Sequence, residues 1–172
     1  IREGKLSEAV DLALKYTPFP ATVCGHLCPN LCMQHCTRQT ANLPAVDVTL
    51  LGRASLEAAP PEPARPTGKK IAVIGGGPAG LSVAWQLRLM GHEPVIHETG
   101  PRLGGKITET IPASRIPDDV LDHELARVEG LIHHVRKPVT RKGFDELRKK
   151  YDFVVVAAGA RTPRMIDVPG RE

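Results

Sequence analysis

Six residues near the middle of the chain, Gly75 to Gly80, have the spacing of a phosphate-binding turn. Gly75, Gly77 and Gly80 satisfy the pattern G-x-G-x-x-G, and Pro78 and Ala79 lie between the last two. The first glycine permits a tight turn, the second lets backbone approach a pyrophosphate, and the third lets a helix pack closely on a strand. A helix that begins here would offer unpaired N–H groups and partial positive charge to phosphates. Pro78 suits its first turn, where a missing N–H costs little.

An acidic residue follows this turn at the distance typical of dinucleotide-binding folds. Glu98 lies about twenty residues further on, and its carboxylate could accept hydrogen bonds from both ribose hydroxyls of an adenosine. The turn follows an apolar run at 71–74, opens a helical pattern and precedes Glu98. Segment 69–98 therefore predicts the unit that binds the ADP half of a dinucleotide. A glycine-rich turn without a ligand is the alternative.

Two later segments favour FAD over NAD as that dinucleotide. Gly104 and Gly105 form a second glycine pair that would admit backbone near a ligand. The segment 152–163 reads as a strand that enters a turn of small residues, including Ala158 and Gly159. Such a turn could lie against a dinucleotide without side-chain obstruction. A flexible loop and an ordinary strand end are the respective alternatives.

All four cysteines of the chain lie within thirteen residues, in the spacing C-x3-C-x3-C-x3-C. Zinc sites usually pair C-x2-C units, whereas iron–sulfur sites use thiolates and often place Pro after a ligand, as Pro29 follows here. The pattern favours an iron–sulfur site. A zinc site, to which His26 or His35 could contribute, and cysteines without metal remain alternatives. The candidate ligands are Cys24, Cys28, Cys32 and Cys36.

The composition is that of an ordinary globular protein of 172 residues, 41% of them hydrophobic, with a formal net charge of +4. Aromatic residues make up 3%, which argues against a nucleic-acid module that stacks bases on aromatic rings. The sequence has no long apolar run and no signal peptide, so we expect neither a membrane span nor export. Reduced cysteines and a cytoplasmic location follow as expectations. Because no initiator Met is present, we expect a piece of a longer or processed polypeptide.

The periodicity divides the chain into two units joined by a linker. Residues 1–57 read as a small helical, cysteine-containing domain, with helical spacing at 6–14 and a second possible helix at 50–56. Residues 58–68 contain four prolines and read as a linker. Residues 69–172 alternate strand and helix, which predicts an α/β fold with a partial Rossmann-like parallel sheet. With the glycine motifs above, we interpret these residues as the first part of an FAD-binding domain. The predicted strands are 71–74, 94–97, 131–135 and 153–157, and the predicted helices are 79–90, 118–129 and 143–149.

Taken together, these motifs resemble the flavin and iron–sulfur module of the small subunit of NADPH-dependent glutamate synthase. Dihydropyrimidine dehydrogenase and the large subunit of NADH-dependent ferredoxin–NADP oxidoreductase contain similar modules. The resemblance covers almost the whole chain. The matching pieces, in family order, are Cys24 to Cys36 with Pro29, Gly75 to Gly80, Glu98, Gly104-Gly105, Ile111-Pro112 with Arg115-Ile116-Pro117, Asp152 with Ala157 to Ala160, and Pro169-Gly170-Arg171-Glu172.

The resemblance implies a helical domain with two 4Fe–4S clusters, then an FAD domain with an inserted NADPH domain. Electrons would pass from NADPH through FAD to the clusters. Cys28, Cys32 and Cys36 match family cluster ligands, while Cys24 matches a position that is often cysteine but not clearly a ligand. The partner would be the rest of a parent chain or a larger catalytic subunit.

The chain departs from the family pattern in three places. The family's first cysteine group is absent, and Gly52 stands where the family has a Glu or Gln ligand. The chain also stops at Glu172, where the NADPH domain would begin. We therefore expect an incomplete cluster ligand set, weak or absent flavin binding and no turnover by this chain alone. A subunit-docking module without flavin or cluster is the second hypothesis.

Other residues with chemical potential have simpler explanations. His133 and His134 have no third ligand nearby in sequence and read as surface histidines. The basic residues between 136 and 150 alternate with apolar and acidic ones, which is typical of a solvated face. A bound flavin would itself perform the redox chemistry. We therefore assign no catalytic acid or base.

Overall fold

The computed structural model describes residues 3–160. The predicted motif at 169–172 and the end of segment 152–163 lie outside these residues. The first third of the described chain consists of short helical elements. They are α1 (Leu6–Tyr16), α2 (Pro20–Thr22), a π-helical turn (Val23–Leu27), α3 (Leu31–Gln34), a 3-10 turn (Thr37–Ala41), α4 (Val48–Ala54) and a 3-10 turn (Ser55–Glu57).

Strands and helices alternate in the remainder of the described chain. The elements are β1 (Lys70–Ile74), α5 (Pro78–Leu89), β2 (Glu93–Glu98), α6 (Lys106–Thr110), α7 (Asp118–Glu129), β3 (His133–Arg136), α8 (Arg141–Lys150) and β4 (Phe153–Val156). The four strands form one parallel sheet in the order β3-β2-β1-β4. The expected α/β fold, with helices that precede a parallel sheet, is confirmed.

The core lies between one face of the sheet and the helices α5 and α7. Val73 and Ile96 are register partners on neighbouring strands, and both are fully buried. They pack in one apolar cluster with Trp85 of α5 and Val128 of α7. Because β1 is buried on both faces, its sequence is a continuous apolar run, as expected for an inner parallel strand.

Several element boundaries differ from the sequence prediction. The second helix of the helical part is α4, which begins two residues earlier than the predicted 50–56. The Asp47 carboxylate explains this, because it accepts hydrogen bonds from the N–H groups of Thr49 and Leu50 and so caps the helix. The short helix α6 was not predicted. It begins after Gly105, whose φ of +53° breaks any helical pattern upstream.

The helical part and the sheet share one apolar core. Phe19, from the helical part, is 5% exposed and belongs to the same cluster as the sheet residues. Segment 58–68 contains no helix or strand, but it lies along the end of α5, where Ala64 N–H donates to Leu89 O and Thr67 N–H to Gly91 O. The division of the chain into domains at 58–68 remains a prediction.

None of the helices in residues 3–160 is long and apolar enough to cross a membrane.

Candidate dinucleotide site and cysteine segment

The glycine turn begins directly after β1, and other backbone segments approach it so closely that two of its positions have no room for a side chain. Gly75 has a φ of +106°, and a Cβ there would collide with the carbonyl oxygen of Ala157. A Cβ at Gly80 would collide with the carbonyl oxygen of Gly75. Both positions therefore need glycine for the turn to fold back on the start of α5.

Gly77 differs from these two glycines because its side-chain position is open. It is the N-cap of α5, and among residues 3–160 no side chain caps this helix and no atom lies within 4 Å of the Gly77 Cβ position. Its φ of −77° is accessible to any residue. The absence of a side chain here leaves the N-terminus of a twelve-residue helix open to approach, as a pyrophosphate would require. Pro78 and Ala79 are the first two residues of that helix.

The second glycine pair lies against the first glycine motif. Gly104 N–H donates to the carbonyl oxygen of Gly76 over 2.8 Å, and a Cβ at Gly105 would lie 3.0 Å from the Cα of Gly77. Gly104 and Gly105 have φ values of +109° and +53°, which are strained for other residues. The structure thus brings two motifs that are separate in sequence into one backbone surface without side chains.

Glu98 ends β2 beside this surface, and its carboxylate binds the turn. One oxygen accepts a hydrogen bond from Gly76 N–H over 2.6 Å, and the other accepts from Thr99 and Gly100 N–H over 2.6 Å each. These contacts place the carboxylate next to the glycine turn, as the predicted contact with an adenosine ribose requires. They also connect the end of β2 to the turn that follows β1.

The small residues after β4 border the turn on its other side. Ala157 N–H donates to Ile74 O over 2.8 Å, and the Cα of Ala158 lies 3.1 Å from a Cβ built at Gly75. Gly159 has a φ of +65°, and no atom of the described part of the chain lies within 4 Å of its Cβ position. The predicted small-residue turn therefore lies next to the glycine turn.

Two residues at this site were not singled out from the sequence. Gly76 donates to Glu98 and accepts from Gly104, and a Cβ there would lie 2.5 Å from Leu103. Leu103 is 1% exposed and fills the space under the turn. The available signals were the third consecutive glycine and an apolar residue directly before the second glycine pair.

The first three cysteines lie on consecutive short turns of the helical part. Cys24 is in the π-helical turn, which closes when Cys28 N–H donates to Val23 O over 2.8 Å. Cys32 lies on α3. Burial raises the pKa of the Cys24 thiol, and the nearby thiols of Cys28 and Cys32 raise it further. All four cysteines are unbridged by disulfides.

Cys36 has a different environment from the other three cysteines. Hydrogen bonds from the N–H groups of Val46 and Arg38 lower the pKa of its thiol.

Among residues 3–160, no group of three or more His, Cys, Asp or Glu side chains is arranged to hold a metal ion. The described residues therefore do not fit an iron–sulfur cluster or a zinc ion by themselves.

Gly52, the position at which the resemblance places a non-cysteine ligand, lies beside the cysteines but leaves no room for a side chain. A Cβ there would be 2.7 Å from Pro20 O, 2.9 Å from Gly25 N and 3.3 Å from the Cβ of Cys24. Helix α4 crosses the π-helical turn at this contact. A Glu or Gln at this position would require the two elements to separate.

Comparison with known proteins agrees with the geometry. Residues 73–136 match the family model of the NAD(P)-binding Rossmann-like domain. The chain is 33% identical, over its whole length, to 27% of the NADPH-Fe(3+) oxidoreductase subunit beta of Geobacter sulfurreducens. It is 32% identical over 98% of its length to 37% of the glutamate synthase [NADPH] small chain of Azospirillum brasilense. It is 34% identical over 96% of its length to 8% of the glutamate synthase [NADH] of Schizosaccharomyces pombe.

Among solved structures, a 6-hydroxypseudooxynicotine amine oxidase from Pseudomonas geniculata N1 superposes with a TM-score of 0.47 and 26% identity, over 63% of this chain and 17% of that one. The chain spans 27% to 37% of the length of the bacterial relatives named above. Its similarity to them extends over nearly all of its own residues. The resemblance predicted from the ordered motifs is thereby confirmed, and the chain is related to the glutamate synthase small chains and the beta subunit of NADPH-Fe(3+) oxidoreductase.

Proposed function

We propose that the glycine turn, Glu98 and the second glycine pair bind the ADP half of FAD in an NAD(P)H-dependent oxidoreductase. One observation carries this proposal. The two glycine motifs touch at the N-terminus of α5, where Gly105 lies against Gly77, and the Glu98 carboxylate lies beside them. A surface free of side chains, a helix N-terminus and an acceptor for ribose hydroxyls are what an ADP group requires.

Each group has a separate task in this proposal. The N-terminus of α5 attracts the pyrophosphate, and Gly77 leaves space for it. Glu98 accepts hydrogen bonds from the adenosine ribose. The isoalloxazine of a bound flavin would supply the redox chemistry, which the protein only positions.

The same carboxylate favours FAD over NADP at this site. The 2′-phosphate of NADP would meet the negative charge of Glu98, and like charges in contact repel. In our proposal NADPH is therefore the electron donor but binds elsewhere, on a part of the protein outside these 172 residues. In the same proposal, the whole protein is a longer chain or a complex with a larger catalytic subunit, and it is located in the cytoplasm. These 172 residues alone do not catalyse NADPH oxidation.

The proposal assigns no electron-transfer step to an iron–sulfur cluster within residues 3–160, because these residues alone do not fit one. Residues outside the chain would have to complete any ligand set for Cys28, Cys32 and Cys36. Iron and sulfide analysis of the larger protein tests whether they do.

Calorimetric titration of the purified chain with ADP, FAD and NADP⁺ tests the dinucleotide site. We expect ADP and FAD to bind more tightly than NADP⁺. Glu98→Ala should weaken ADP binding about tenfold or more, as for loss of hydrogen bonds to a charged group. Glu93→Ala is the matched control, because Glu93 lies on the same strand at its exposed opposite end. Equal affinities for the wild-type chain and both variants would contradict the proposal.

Gly77→Val separates ligand binding from folding at the same site. Because the Cβ position of Gly77 is open and its φ is ordinary, the variant should keep the circular dichroism spectrum of the wild-type chain. It should lose ADP binding, because the new side chain occupies the space proposed for the pyrophosphate. Retained binding would exclude this turn as the phosphate site.

A second candidate function is docking to a partner subunit without a flavin. Large aliphatic side chains around the cysteines are exposed to solvent, among them Val23 (44%), Leu31 (57%) and Leu50 (61%). The visible spectrum of the purified chain distinguishes the two functions. Flavin absorption supports the dinucleotide site, whereas a colourless, metal-free protein that does not bind ADP supports docking. NADPH oxidation by the chain with added FAD would contradict the expected lack of turnover.

A further inference from the structure

A fully buried carboxylate connects the sheet region to the cysteine segment, residues 20–54, which extends from α2 to the end of α4. Glu124 lies on α7 and is 0% exposed. Its two oxygens accept hydrogen bonds from Ala21 N–H over 2.8 Å and Thr22 N–H over 2.9 Å. These donors are more than 100 residues away in sequence. They belong to α2, which continues directly into the π-helical turn that contains Cys24.

Arg127, one turn further along α7, supports the same contact. It is 8% exposed, and its guanidinium donates to the carbonyl oxygens of Pro18, over 3.4 Å, and Ser55. One of its nitrogens lies 3.9 Å from a Glu124 oxygen. Pro18 precedes α2 and Ser55 follows α4, so Glu124 and Arg127 together bind the backbone on both sides of the cysteine segment.

The Glu124 carboxylate needs these partners, because the free-energy cost of burying a charge is high when no group pairs with it. Burial raises the pKa of the Glu124 carboxyl, against the opposing hydrogen bonds from Thr22 and Ala21 and the charge of Arg127. An apolar residue at position 124 would pack as well in a core. The carboxylate instead supplies two acceptors to the first N–H groups of a helical turn, which have no partners within the helix.

We propose that Glu124 is a positioning residue that fixes the cysteine turn, Val23–Cys28, against the dinucleotide-binding unit. It binds the backbone N–H groups of Ala21 and Thr22, and its charge also contributes to the raised pKa of the Cys24 thiol. The proposal goes beyond the proposed function and does not depend on flavin or metal binding. Without Glu124, the turn opens locally while the sheet keeps its fold.

Thiol labelling and hydrogen exchange of the purified, reduced full chain test this role. N-ethylmaleimide labelling of each cysteine is followed by peptide mass spectrometry, together with amide exchange of peptides that contain Ala21 and Thr22. In Glu124→Leu we expect Cys24 labelling and exchange of these amides to accelerate about tenfold or more, since both follow local opening. Glu124→Gln keeps one of the two acceptors and places an amide N–H donor against the other backbone N–H, so its rates should lie between those of the wild-type chain and the Leu variant. Glu129→Gln, at an exposed position on the same helix, is the matched control and should change neither rate.

A possible failure of Glu124→Leu to fold is controlled by the paired variant Glu124→Leu/Arg127→Met. This variant leaves no unpaired buried charge and should show the same faster labelling. Unchanged rates in the folded Leu or paired variant would overturn the proposal. In the paired variant, acceleration of sheet amides equal to that of the Ala21 and Thr22 amides would also overturn it, because the opening would then be global. ADP titration of the same variants keeps the two proposals apart: failure of the wild-type chain to bind ADP refutes only the dinucleotide site, and unchanged Cys24 rates refute only the role of Glu124.

Discussion

The glycine turn and the cysteine segment are held in place by different means. The glycine turn is fixed by neighbouring backbone, through contacts of Gly75 with Ala157 and of Gly76 with Gly104, and through one carboxylate at the end of β2. The cysteine segment consists of helical turns of three to seven residues, too short to be stable alone, and distant buried side chains bind its backbone. Both regions thus need residues that are distant in sequence, but the first is fixed mainly by backbone contacts, whereas the second depends on buried side chains of α7.

The largest predicted effect concerns that dependence. Glu124→Ala leaves Arg127 as an unpaired buried charge and removes the acceptor for two buried N–H groups. We expect the free energy of unfolding to fall by about 3–5 kcal/mol, measured by urea denaturation. Glu129→Ala, at an exposed position, should change it by less than about 0.5 kcal/mol. A similar small loss for both variants would mean that the cysteine segment does not depend on α7.

The second prediction tests the glycine turn. Gly80→Ala places a Cβ against the carbonyl oxygen of Gly75, so β1 and α5 must shift apart. We expect a loss of about 1–3 kcal/mol, as for other overpacked sites, together with loss of ADP binding. Gly130→Ala is the control, because a Cβ there would make ordinary van der Waals contacts, 3.4 Å from the carbonyl oxygen of Ala126 and 3.6 Å from that of Arg127. If Gly80→Ala had the stability of the wild-type chain, the turn would have room for a Cβ between α5 and the carbonyl oxygen of Gly75.

The third prediction concerns α8, a helix of the sheet region whose N-terminal cap is local: it joins Thr140 to Gly143. The Thr140 hydroxyl accepts a hydrogen bond from Gly143 N–H over 3.1 Å and caps α8. Thr140→Ala should cost about 1 kcal/mol, and Thr140→Ser, which keeps the hydroxyl, should cost much less. Neither should change the maleimide labelling rate of Cys24. A faster rate would show that the two regions are coupled more widely than through α7.

The smallest predicted effect is a pH dependence of the sheet region. Burial lowers the pKa of His97, and the charges of Lys150, Lys137 and His133 lower it further. Within residues 3–160 its Nε2 is buried without a hydrogen-bond partner, and its ring packs edge-on against Tyr151.

Since the unfolded chain binds a proton at the ordinary histidine pKa of about 6.5 and the folded chain only at lower pH, stability should fall as pH falls through this range. His97→Phe should show a weaker loss of stability in thermal melts between neutral and mildly acidic pH. His134→Gln, at an exposed position on β3, should keep the loss of the wild-type chain. Identical pH profiles for all three proteins would remove His97 as the cause.

The two regions also differ in how much of them the sequence could predict. The spacing of Gly75, Gly77 and Gly80 encodes a backbone requirement, so turn, flanking strand and helix could be inferred together. Helix 118–129 has the predicted bounds because its apolar periodicity is regular. The contacts of Glu124 and Arg127 could not be predicted in the same way, because their partners lie far away in sequence.

The cysteine segment offered less local information. Its spacing indicates a shared chemical role for the thiols, but the π-helical turn and the close crossing of Gly52 over Gly25 depend on tertiary packing. Likewise, the contact between the two glycine motifs could not be read from their separation of more than twenty residues. What the sequence could not predict is thus mainly which distant groups meet.

Trp85 of α5 lies at the contact with the first helix, α1, and its indole N–H donates to Leu14 O over 2.7 Å. It is the only tryptophan in the chain and is fully buried. Separation of α1 from α5 would admit water to the indole and shift its fluorescence to longer wavelength, even while the sheet stays folded. The chain therefore contains an intrinsic optical probe, whose emission reports the docking of the first helix without any added label.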